Sequence, residues 1–175
     1  MALTRARVLL GPLSARLALQ QQITKVLTAP RDPAKLRTDV LHMRSEMLLH
    51  KPAKGPLDVK LARGGLVDAE FVVHFLQLRH GKGLEPALAQ AIDALAKAGL
   101  VSPDLAKAHD VLTRCLIASR LLAPDANVPP PAAQLVLASA CQCGDWEELL
   151  AQLSTARAAV AAAWLTTFGE HLEID

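Results

Sequence analysis

The segment from Leu66 to His80 limits the possible folds more than any other part of this sequence. Its apolar residues fall on almost every side of a helix. In a globular protein, a helix that is apolar all round is buried on all sides. We therefore predict that this helix lies at the centre of the fold, with Phe71 and Phe75, four residues apart, in the core.

The rest of the chain also favours helix. Hydrophobic residues make up 51% of the sequence but aromatic residues only 3%, so alanine and leucine, both good helix formers, supply most of the apolar content. A length of 175 residues suits one domain with a substantial core. The fold class is therefore predicted to be all-α, as a single bundle of about seven helices. The predicted helices cover, approximately, residues 12–27, 33–50, 66–80, 86–98, 103–122, 132–141 and 145–168.

Proline and glycine mark the breaks between these helices. Residues 51–57 contain two prolines and a glycine, and we predict that they form a flexible joint. Asp32 followed by Pro33 is typical of a helix start, since aspartate caps the free amides and proline fits the first helical position. Gly144 precedes the last helix.

Charge, cysteine content and hydropathy exclude several classes of protein. Residues 1–63 carry 12 Lys and Arg against 4 Asp and Glu, whereas residues 64–175 carry 7 against 13. The basic half has no dense cluster interleaved with aromatic residues, so we expect no nucleic-acid partner. No apolar run approaches the length of a membrane span or of a signal peptide. Three cysteines, an odd number, fit a reducing compartment, and the predicted location is cytoplasmic.

Motifs for metal binding or catalysis are absent. Cys141 and Cys143 lack a second ligand pair at a suitable spacing, so we interpret them as small buried residues at a helix end. No two histidines are spaced i, i+4. A phosphate-binding loop and the Asp-x-Asp pair that holds magnesium for phosphoryl transfer are also missing, so we expect no catalytic residue and no metal ligand in this chain.

The charged stretch LDVKLARGGLVDAEF, residues 57–71, has two possible interpretations. In a structural role, Gly64 and Gly65 form a sharp strand-to-helix turn, and acidic residues in the following first turn complement the helix dipole. Alternatively, Lys60 and Arg63 lie just before a helix start with free amides, which is an arrangement that binds anions. The residues alone favour the structural role.

This stretch resembles a signature of the glutamine synthetase adenylyltransferases, which are two-headed bacterial enzymes. In each half of these enzymes a nucleotidyltransferase domain is followed by a helical domain. The similarity covers nearly the whole chain. It rests on Asp58-Val-Lys60, on Arg63-Gly64-Gly65-Leu66-Val67-Asp68-Ala69-Glu70-Phe71, on Ala2–Val8, on Arg31-Asp32, on Met43-Arg44-Ser-Glu-Met47 and on His50.

The resemblance implies that residues 1–175 are the C-terminal helical domain of the adenylylating half, and that its catalytic domain is missing from this chain. That half is implied to transfer AMP from ATP, with magnesium, to a tyrosine of glutamine synthetase in nitrogen regulation. The implied partners are the enzyme's own nucleotidyltransferase domain, glutamine synthetase and, as a further candidate, a PII signal protein. The chain is expected to be inactive alone and to hold neither ATP nor magnesium tightly.

The resemblance also implies roles for the charged residues. Lys60 and Arg63 are expected near the nucleotide phosphates, and Asp68 and Glu70 are expected to anchor the domain interface. All four side chains are predicted at one exposed end of the bundle, near Arg5 and Arg7. The complete set of nucleotide-proximal or domain-interface candidates is Arg5, Arg7, Asp58, Lys60, Arg63, Gly64, Gly65, Asp68 and Glu70.

Two other functions are compatible with the sequence. The chain could be a free-standing helical interaction module that binds a regulator or glutamine synthetase without chemistry. It could also be the related helical domain of a uridylyltransferase that acts on PII signal proteins. A catalytic motif encoded upstream of Ala2 would favour an enzyme, whereas a native start at Met1 would favour the module.

Overall fold

The computed structural model describes residues 1–174, which form a short 3₁₀-helix and seven α-helices with no β-strand. The prediction of an all-α bundle is confirmed. After the 3₁₀-helix at Ala2–Arg5, the helices are α1 (Leu13–Leu27), α2 (Pro33–His50), α3 (Leu66–His80), α4 (Leu88–Lys97), α5 (Asp104–Leu122), α6 (Pro131–Ala140) and α7 (Trp146–Phe168). None of the helices in this part of the chain is long and apolar enough to cross a membrane.

Helix α3 is the centre of the bundle, as predicted. Twelve of its fifteen residues are buried, including Phe71 and Phe75. It packs against α2, α4, α5 and α7. Because these four helices surround α3, apolar side chains can be buried on every side of it.

Side-chain capping sets the starts of two helices, α2 and α7. The Asp32 carboxylate accepts hydrogen bonds from the amides of Ala34 and Lys35 at 2.8 and 3.3 Å, so α2 begins at Pro33. Asp145 accepts one from the Glu148 amide at 2.7 Å and caps α7 in the same way. The predicted starts of both helices are therefore correct to within a residue.

Helix α1 is the least buried of the seven α-helices. Its apolar residues Leu13, Leu17 and Leu19 are each more than half exposed, and Leu27 is its one buried residue. The prediction of a helix here is confirmed. Most of its apolar side chains nevertheless remain open to solvent within residues 1–174.

The predicted strand before the Gly-Gly pair is wrong. Residues 57–65 form a series of turns instead. The Asp58 carboxylate accepts hydrogen bonds from the amides of Lys60 and Leu61 at 3.2 and 2.9 Å, which folds the backbone back on itself. An alternating charge pattern cannot form a strand where an aspartate closes a turn in this way.

Candidate functional site

The glycine pair forms the tight connection between these turns and α3. Gly64 has a φ of +75°, a conformation that L-residues with a side chain rarely adopt. A Cβ atom on Gly65 would lie 2.6 Å from the Val59 carbonyl oxygen and 2.8 Å from that of Ala62. Side chains are therefore excluded at both positions by backbone geometry alone, which accounts for the pair without any ligand.

Asp68 belongs to the interior of the fold. Its Oδ1 accepts a hydrogen bond from Arg44 Nε at 2.5 Å, and its Oδ2 accepts one from the Gly64 amide at 2.8 Å. Both partners of the ion pair are buried, with Arg44 1% exposed and Asp68 0% exposed. The prediction that Asp68 lies at an exposed end of the bundle is wrong, because its carboxylate joins α2 to the start of α3.

The sequence did not identify Arg44 as the partner of Asp68, although it indicated that Asp68 needs a partner. An ionised carboxylate in the first turn of a helix that is apolar on every side is unfavourable unless a cation and hydrogen-bond donors surround it. Arg44 also donates through Nη2 to the Leu61 carbonyl oxygen at 3.1 Å, so it connects three segments of the chain.

The candidate residues Lys60 and Arg63 lie in different places on the surface of the bundle. Lys60 is exposed and lines a cavity together with Lys54, Asp58 and Arg120. Arg63 is half-buried and lines another cavity, beside α2. The two cations therefore line different cavities and do not face a common one.

Glu70 lies near the beginning of the chain, as predicted. Its Oε2 is 3.7 Å from Arg5 Nη1, in an ion pair with both side chains partly exposed. Arg7 is exposed. The structure therefore brings Glu70 and Arg5 together, while Asp68, Lys60 and Arg63 each have separate surroundings.

Cys141 and Cys143 are confirmed as buried residues at a helix end. Cys141 caps the C-terminus of α6, and Cys115, Cys141 and Cys143 are all buried and free. Burial and the neighbouring Cys141 raise the pKa of the Cys115 thiol to about 12. A thiol with so high a pKa is protonated at neutral pH and is a poor nucleophile.

No metal centre is formed by the residues that the structure describes. Across residues 1–174, no three His, Cys, Asp or Glu side chains are grouped so that they could hold a metal ion.

A family model matches most of the chain and identifies the class of protein to which the bundle belongs. The family model described as GlnD PII-uridylyltransferase matches residues 35–167, which include helices α3 to α6 and most of α2 and α7. The match covers most of the chain, so this bundle belongs to the domain family that this model describes.

Individual relatives give the family. A bifunctional glutamine synthetase adenylyltransferase/adenylyl-removing enzyme of Rhodopseudomonas palustris (strain HaA2) is 34% identical over 187 residues, covering 99% of this chain and 18% of the relative. The enzyme with the same name in Xanthobacter autotrophicus (strain Py2) is 33% identical, covering 91% of this chain and 17% of the relative. In Chromobacterium violaceum it is 43% identical over 112 residues, covering 61% of this chain and 12% of the relative. The chain belongs to the glutamine synthetase adenylyltransferase family, and it spans less than a fifth of the length of these relatives.

Proposed function

We propose that this chain is the helical domain of the C-terminal, adenylylating half of a bacterial glutamine synthetase adenylyltransferase. In this proposal it supports the transfer of AMP from ATP to a tyrosine of glutamine synthetase and is inactive alone. The main support is the similarity to adenylyltransferases over 91% and 99% of the chain. ATP and magnesium are proposed to bind the nucleotidyltransferase domain of the parent enzyme, since the described residues include no metal-binding group.

The proposed contact between the helical domain and the catalytic domain involves the exposed charges around the glycine turn. Lys60 is exposed, and the Asp58 carboxylate fixes the backbone at its position through the Lys60 amide. A lysine on a rigid turn can reach toward nucleotide phosphates without rearrangement of the fold. Glu70 and Arg5 would contribute to the same interface at the beginning of α3, whereas Asp68 would act through the stability of the domain.

Replacing Lys60 with alanine in the full-length enzyme tests this role. We expect kcat/KM for AMP transfer to fall about tenfold or more, equivalent to roughly 1.4 kcal/mol, because alanine cannot replace a charge that faces phosphates. The melting temperature of the 175-residue chain should hardly change, since Lys60 is exposed. Steady-state kinetics and thermal unfolding measure the two effects.

Lys97→Ala is the matched control, because Lys97 is also an exposed lysine but lies at the end of α4. Its kcat/KM should stay at the wild-type value. An equal fall in both variants, or a wild-type value for Lys60→Ala, would remove Lys60 from the catalytic interface.

One observation favours a second candidate function. The family model that matches residues 35–167 carries the description of a PII-uridylyltransferase, so the helical domain of such an enzyme is the alternative. A PII signal protein would then be the acceptor of the nucleotide. In the adenylyltransferase proposal, PII is instead a regulatory partner. Assays with each acceptor protein distinguish the two functions.

A further inference from the structure

A polar cleft of about 580 Å³ lies between α2 and the residues that follow α7. Its volume is in the range of small-molecule binding sites. The side chains that matter for its chemistry are Arg37, His42, Arg44, Arg63, Glu170 and His171. Basic groups thus outnumber the single carboxylate on this list.

Arg44 gives this cleft an unsatisfied hydrogen-bond donor. Its Nε and Nη2 atoms are engaged by Asp68 and by the Leu61 carbonyl oxygen. Its Nη1 atom is buried and has no hydrogen-bond partner. A buried donor without an acceptor is unfavourable, and Arg44 is one of the residues that line a cleft large enough to admit one.

The charges of the neighbouring residues leave one cation uncompensated. Glu170 Oε1 is 2.7 Å from Arg37 Nη2, and Arg37 also donates to the Phe168 carbonyl oxygen. Arg44 is balanced by Asp68. Arg63 lines the same cleft, and its guanidinium group has no partner within residues 1–174. Arg44 Nη1 and Arg63 are therefore two guanidinium donors in this lining that a ligand can engage.

We propose that this cleft binds a small anion whose carboxylate or phosphate oxygens accept hydrogen bonds from Arg44 Nη1 and Arg63. The flat guanidinium group matches the spacing of oxygens in both kinds of anion, and hydrogen bonds between charged groups are the strong ones. The site is separate from the proposed adenylyl-transfer role. It is formed entirely within this chain, by α2, the glycine turn and the residues that follow α7. It requires no catalytic domain.

Calorimetric titration of the 175-residue chain with inorganic phosphate, and separately with succinate, tests the proposal at constant ionic strength. We expect saturable binding of at least one of the two anions, and the one that binds identifies the ligand as phosphate-like or carboxylate-like. Arg63→Gln should weaken that binding about tenfold or more, since it removes charged hydrogen bonds. In the chain labelled at arginine nitrogens, the Arg44 guanidinium resonances should shift with the same saturation curve.

Arg120→Gln is the matched control, because it removes the same charge from an exposed arginine that lines a different cavity. Its binding should stay within about twofold of wild type, as expected for a remote, screened charge. Absence of saturable binding for both anions would overturn the proposal. Equal loss of anion affinity in the two variants, with unchanged melting temperatures, would also overturn it. The anion would then respond only to the net charge of the chain and not to a specific site.

Discussion

Replacing Asp68 with alanine is expected to lower the free energy of unfolding by about 3–5 kcal/mol, because the change leaves the buried Arg44 cation uncompensated. The variant also removes the acceptor for the Gly64 amide, which holds the turn before α3. Chemical denaturation of the 175-residue chain, monitored by far-UV circular dichroism, measures the effect. A loss of this size is a large part of the stability of a typical domain.

Glu70→Ala is the control for this prediction. Glu70 is a carboxylate on the same helix, two residues further on, and its ion pair with Arg5 is partly exposed. Its removal should change the free energy of unfolding by no more than about 1 kcal/mol. If Asp68→Ala were as stable as Glu70→Ala, the buried ion pair would not be a main contact between α2 and α3.

Phe75→Ala is expected to destabilise the chain by about 3–5 kcal/mol through the cavity that it leaves in the core. The side chain is completely buried, and its ring centroid is 4.9 Å from that of Phe168 on α7. Phe168 in turn contacts Trp164, at 4.5 Å between ring centroids. Removal of Phe75 therefore also loosens the contact between α3 and α7. Thermal and denaturant unfolding measure the loss.

The comparison for Phe75 is Leu121→Ala on α5, since Leu121 is 84% exposed. That substitution should change the free energy of unfolding by no more than about 0.5 kcal/mol. A Phe75→Ala variant with the stability of Leu121→Ala would contradict the central position of α3.

The helices could be predicted from the sequence because the signals for them are local. Asp32 and Asp145 cap α2 and α7 through bonds to amides two or three residues away, which a sequence pattern can reveal. The composition of α3 likewise predicts its position, since a helix that is apolar on all sides is stable only in the core.

The site was predicted less well because its contacts are between distant segments. Arg44 and Asp68 are 24 residues apart, on either side of a linker, and no spacing rule pairs them. The pattern also gave no indication that the turns at residues 57–65 would direct Lys60 and Arg63 to different cavities. On α1, the apolar residues predicted the helix correctly but did not indicate that most of them lie open to solvent within residues 1–174.

The alternative of a free-standing interaction module predicts a different biochemical result from the adenylyltransferase proposal. A module would bind a regulator or glutamine synthetase without any chemistry, even when the longer protein that carries it is tested. The helical domain of an enzyme should instead be necessary for AMP transfer but insufficient for it. Activity of the chain and of the full-length protein, compared side by side, therefore separates the two.

The most direct measurement is the incorporation of labelled AMP into glutamine synthetase, from labelled ATP in the presence of magnesium. The 175-residue chain should give no label above a control without the chain, because none of its described residues form a metal-binding group for phosphoryl transfer. The full-length protein should label glutamine synthetase in a time-dependent reaction. Stoichiometric labelling by the chain alone, or transfer by the full-length protein of labelled UMP to PII in place of AMP to glutamine synthetase, would contradict the account.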